Sequence, residues 1–80
     1  MVILSKHARR RSVERAIPPA WIEAAIERPN RTARDARDPA ATHSFRMVPE
    51  AGGRVLKVVH KPVGDDVFVV TVHLDRGAKP

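Results

Sequence analysis

Arg54-Val-Leu-Lys-Val-Val-His-Lys61, then Pro62-Val-Gly-Asp65, then Val67-Phe-Val-Val-Thr-Val-His-Leu-Asp75 is the stretch that decides the fold. Two runs rich in valine, separated by a short cluster of turn-forming residues, read as consecutive strands. In the second run Phe68, Val70, Val72 and Leu74 alternate with Val67, Val69, Thr71 and His73. Side chains on a strand point to opposite faces in turn, so one face is apolar and the other presents Thr71 and His73. In the first run Lys57 shares a face with Val55, Val59 and Lys61. Working upstream, Thr42 to Val48 alternates loosely with Phe45 and Met47 on one side, and Pro49-Glu-Ala-Gly-Gly53 marks another turn. Such short turns join antiparallel neighbours, because a parallel crossover needs a dozen residues or more.

The N-terminal half has helical spacing instead. Ser5 is an N-cap residue, and a helix is expected from about 6 to 16 with a weak apolar side of Ala8, Ser12, Val13 and Ala16. Pro18 and Pro19 end it, since the residue before a proline avoids the helical region. A second helix is expected over about 19–28, where Trp21, Ile22, Ala25 and Ile26 form an amphipathic stripe that Pro29 stops. Residues 29–41 are polar, bounded by prolines and without a core-facing period, and read as a loop. Arg28, Arg31, Arg34 and Arg37 recur there every three residues with Asp35 and Asp38 beside them, as in a solvated connection or a basic arm. Arg76-Gly-Ala-Lys-Pro80 reads as a frayed tail. The expectation is a single α+β domain over 1–80: two N-terminal helices packed on one face of a small three-stranded antiparallel sheet (strands about 42–48, 54–61 and 67–75). A short N-terminal strand is compatible with that plan.

Composition narrows the class. With 80 residues and 42% hydrophobic content the chain can build one small core. It has no cysteine, which excludes disulfides and thiolate metal sites. Met1-Val-Ile-Leu4 is too short for the apolar part of a secretion signal, and no window approaches a membrane span, so a cytoplasmic protein with no membrane partner is expected. Fifteen basic against nine acidic residues give a net charge of +6. The isoelectric point is near 11.1, within the range of nucleic-acid binders. The excess is local: between Ser5 and Ile17, Lys6, Arg9, Arg10, Arg11 and Arg15 stand against Glu14 alone.

His7, Arg11 and Arg15 are spaced by four within that segment. A helix advances about 100° per residue, so the three lie along one face. Histidine exchanges a proton near neutral pH, and arginine offers a fixed fork of donors to phosphate. Metal-independent cleavage of RNA needs an acid, a base and cations around the phosphate. His7, Arg11 and Arg15 are therefore candidate catalytic residues, with Thr71 and His73 completing the site if the sheet meets the helix there. Arg10, Arg11, Arg15 and Lys57 are candidate nucleic-acid contacts. The plainer readings have His7 bonding a nearby backbone group, Arg11 and Arg15 pairing with Glu14, Asp65 or Asp66 or lying on Trp21, and Trp21 in the core. His43, His60 and His73 show no recognised metal spacing and no glycine-rich phosphate loop is present, so neither metal nor cofactor is expected.

Leu4-Ser-Lys-His7-Ala8, Arg11, Arg15 and Ile17, the amphipathic segment ending at Pro29, and Val69-Val-Thr-Val-His-Leu-Asp-Arg76 together resemble domain-of-unknown-function family 4258. Members of that family open with a His-Ala-x-x-Arg-x-x-x-Arg-x-Ile pattern and continue into a short antiparallel sheet. More distantly the chain is similar to RelE-type and barnase/EndoU-like ribonuclease toxin domains. That resemblance implies ribonuclease activity and, for a toxin, a neutralising antitoxin partner, which the basic surface of the chain suggests is acidic. The chain departs from its relatives in having Ala16 and Pro18 where many have Gly and then Ser or Thr. It also has His73 and no tyrosine where they often carry Tyr near the end of the last strand.

Three functions fit these residues. The first is a metal-independent ribonuclease-like toxin domain acting on RNA. The second is a non-catalytic nucleic-acid-binding module using the same basic face. The third is a protein-interaction domain that pairs through a sheet edge such as Thr42–Val48 or Val67–Asp75. The sequence leaves the oligomeric state open.

Overall fold

The structure is a computed structural model that describes residues 1–75; the tail expected over 76–80 lies outside the described residues. Strand β1 (Val2–Leu4) leads into helix α1 (Lys6–Glu14) and then helix α2 (Pro19–Glu27). Strands β2 (Arg31–Arg34), β3 (Thr42–Val48), β4 (Arg54–Val63) and β5 (Asp66–Asp75) follow, with a single 3-10 turn at Pro49–Ala51 between β3 and β4. The sheet has five strands in the order β1-β5-β4-β3-β2. Strand β1 runs parallel to β5, and the other pairs are antiparallel.

The α+β class and the β3-β4-β5 meander stand, but the expected three-stranded antiparallel sheet is corrected to a five-stranded mixed one. Strand β2 lies within the segment read as a loop. Three of its four residues are exposed, so it carries no apolar period, and its place is fixed by backbone pairing with β3. Strand β1 was only an option from sequence. It is held at the edge by Val67 N–H donating to Met1 O and Ser5 N–H donating to Val69 O, both at 2.9 Å. In the strand order Thr42–Val48 and Val67–Asp75 are not the outer strands: β2 lies beside Thr42–Phe45 and β1 beside Val67–Val69. The free edges are β1 and β2.

Local chemistry explains the helix ends. Ser5 caps α1: its Oγ accepts Ala8 N–H at 2.9 Å and donates to Val70 O at 2.7 Å, tying the first turn to β5. The helix stops at Glu14, two residues short of expectation. Ile17 N–H reaches Ser12 O at 2.8 Å and Ala16 N–H reaches Val13 O at 3.2 Å, with Ala16 at φ 52°. That is the Schellman pattern, and it turns the chain sharply into Pro18 and Pro19.

Both helices pack on one sheet face. Ala8, Ile17, Ile22 and Ala25 join Val48, Leu56, Val58, Val69 and Val72 in a single buried cluster. The alternation expected in β5 fails at one point. Val59 pairs with Thr71 and His60 with Val69, so Val70 is an extra residue, a β-bulge. The bulge places Val69 on the same face as Val72, and both are fully buried. Thr71 and His73 lie on the opposite, helix-free face.

Candidate functional site

Paired residues in neighbouring strands share a face, so the register maps the helix-free side of the sheet. One row runs Arg31, Phe45, Lys57, His73 across β2, β3, β4 and β5. The next row runs Ala33, His43, Val59, Thr71. Lys57 thus sits directly beside His73, with Thr71 and His43 on its diagonals. The apolar members of these rows form the floor: Phe45 and Val59 are buried, and the Arg31 guanidinium lies 3.8 Å from the Phe45 ring centre. His73 is exposed, while Lys57, Thr71 and His43 are half-buried.

One imidazole on this face is anchored. His43 Nε2 and Asp35 Oδ1 are 2.7 Å apart. Asp35 also accepts the backbone N–H groups of Arg37 and Asp38 on Oδ2, each at 2.9 Å. The His43 bond and these two amides hold the Asp35 carboxyl down at about 2, well below the ordinary aspartate value. Asp38 in turn faces Lys61 at 3.4 Å, which ties the β2–β3 connection to β4. Sequence reading set His43 aside for want of metal spacing. The usable signal was its place two residues before Phe45 on an alternating strand, following an Asp-rich turn.

The residues singled out from sequence fall into two groups. Lys57, Thr71 and His73 come together. His7, Arg10, Arg11 and Arg15 do not join them, because α1 packs against the other face through Ala8. His7, Arg10 and Arg15 are exposed and Arg11 is half-buried, giving a separate basic surface on α1. Asp66 takes the N-terminal ammonium at 3.2 Å, and the guanidinium that lies over an aromatic ring is that of Arg31, over Phe45. A cleft of about 280 Å³ between α2 and the end of β3, lined by Trp21, Arg28, Arg46 and Glu50 among others, includes none of the candidate catalytic or nucleic-acid-contact residues.

A further histidine lies on the helix side. His60 Nε2 is 2.8 Å from Ser44 Oγ, and Ser44 is buried. Burial first, and then the nearby His43, push the His60 pKa below its ordinary value. The ring and the hydroxyl satisfy each other, which makes the pair an internal bond.

The sequence profile described as Domain of unknown function (DUF4258) matches residues 4–73, from the end of β1 to His73 in β5. The chain belongs to the DUF4258 family. The DUF4258 match takes in both helices, the anchored His43 and the Lys57–His73 row. No curated protein and no solved structure matches the chain. Among the described residues no helix is long and apolar enough to cross a membrane.

Proposed function

We propose that this DUF4258 domain binds RNA on the helix-free sheet face and cleaves it there without a metal. The observation that carries the proposal is the Lys57–His73 pair with Thr71 and the Asp35-anchored His43 around it, on a face that no helix covers among the described residues. The chemistry is transesterification. The 2′-oxygen attacks phosphorus and the bond to the 5′-oxygen breaks, leaving a 2′,3′-cyclic phosphate and a free 5′-hydroxyl. The exposed His73 receives the 2′-hydroxyl proton, and His43, oriented by Asp35, gives a proton to the departing oxygen. Lys57 and Thr71 hold the non-bridging oxygens as charge builds on them. Strands lie about 4.8 Å apart, so His43 and His73 are on the order of 10 Å apart at the backbone, flanking a phosphate seated over Lys57. The α1 surface of His7, Arg10, Arg11 and Arg15 adds a salt-sensitive attraction for the strand.

The test compares wild type with His73→Ala, Lys57→Ala and His7→Ala on single-stranded and structured RNA, with a chelator present. Proton-transfer groups contribute roughly 10²–10⁴-fold, and the His73→Ala loss is expected in that range, with His7→Ala retaining most activity. Cleavage unaffected by His73→Ala overturns the assignment. Salt-dependent binding without any product favours a non-catalytic RNA-binding domain instead.

A further inference from the structure

Two strands end this sheet, and they differ in what they offer outside it. Strand β1 has three residues, runs parallel to its neighbour and begins at an ammonium engaged by Asp66. Strand β2 is antiparallel to β3 in the register Arg31–Phe45, Thr32–Ser44, Ala33–His43, Arg34–Thr42. Asp35 N–H donates to Ala41 O at 3.1 Å in the same register. Backbone groups alternate direction along a strand. Those of Ala33 and Arg31 therefore turn toward β3, and those of Thr32 and Arg34 turn outward. Arg31, Thr32 and Arg34 are exposed.

Charge selects what such an edge accepts. Arg28, Arg31, Arg34 and Arg37 run along and beside β2. The acids next to it are engaged elsewhere, Asp35 by His43 and Asp38 by Lys61. Cations on an edge strand repel a second copy of the same edge, which is how proteins commonly block self-pairing. The same cations favour an acidic strand.

We propose that β2 is a docking edge for an extended acidic segment of a partner protein, which adds to the sheet as a sixth strand. The outward amide and carbonyl groups of Thr32 and Arg34 supply its main-chain bonds. Arg31 and Arg34 are three residues apart and so lie on opposite faces of the sheet. The partner strand therefore carries two acidic residues three apart, one toward each face. Opposite Arg31, its acidic residue ends the row that leads to Lys57 and His73. This inference does not depend on RNA cleavage, and its test reads binding alone.

The probe is a synthetic peptide of about eight residues in which glutamates three apart are separated by valines, alongside versions with lysine in place of glutamate and with a central proline. Affinity is read by fluorescence anisotropy, and the site by hydrogen exchange of the backbone amides. The glutamate peptide is expected to bind, to weaken with salt, and to protect the Thr32 and Arg34 amides. Thr32→Pro deletes one outward donor without touching the bonds to β3 and should weaken binding about tenfold, a loss of about 1.4 kcal/mol. Arg34→Glu should weaken it at least as much and serves as the second variant if the proline variant melts early. Binding of the lysine peptide with equal affinity, undiminished binding to Arg34→Glu, or protection confined to α1 overturns the proposal.

Discussion

At the scale of single residues, two histidines with different surroundings have different consequences. His43 is bound to a carboxylate on the helix-free face, whereas His60 is bound to a buried hydroxyl among apolar groups. A depressed histidine pKa means that the folded state resists protonation which the unfolded chain accepts. Stability from His60 is therefore present above its unfolded pKa and is lost as pH falls through and below about 6.5. Melting temperature should fall between pH 7.5 and pH 5, and His60→Gln should flatten that slope while lowering the melting temperature at neutral pH. An unchanged slope in the variant would assign the pH dependence to other groups. None of this contrast is written in the sequence. His43, His60 and His73 all sit on strands, and only the three-dimensional register says which one meets a carboxylate, which one a serine, and which one solvent.

At the scale of elements, the ends of α1 were the most legible part of the chain. Ser5 announced the start, and Pro18 and Pro19 announced a stop within a few residues. The Schellman turn moved that stop back to Glu14 by placing Ala16 in the left-handed region, at φ 52°. This region disfavours a side chain by roughly 1–2 kcal/mol, part of which is returned by the greater freedom of an unfolded glycine. Ala16→Gly should therefore stabilise the protein by about 0.5–1 kcal/mol, read from denaturant midpoints at constant slope. Strand β2 was the least legible element. Sequence patterns report side-chain burial, and Arg31-Thr-Ala-Arg34 buries too little to leave a pattern. The bulge at Val70 was hidden for a related reason: an unbroken valine run looks the same with or without one extra residue.

For the whole molecule, the decisive feature is a sheet with one face committed to the core and the other, among the described residues, uncovered by helices. Leu56 has no exposed surface and lies in the cluster that joins both helices to β4 and β5. Leu56→Ala should cost about 2–5 kcal/mol, a large share of what an 80-residue domain has, and calorimetry should show one cooperative transition at lower temperature. Its neighbour Lys57 points the other way, so Lys57→Ala should melt far closer to wild type; a comparable loss would mean that the two faces are not energetically separate. By itself the sequence determined the α+β class, the β3-β4-β5 meander and the grouping of Thr71 with His73. Local hydrophobic period and turn chemistry suffice for those. Only the tertiary structure decided that α1, with His7, Arg11 and Arg15, lies across the sheet from Lys57 and His73, that Asp35 meets His43, and that two further strands complete the sheet. Each of those depends on backbone pairing or on packing between distant segments, to which a pattern of side chains along one segment is blind.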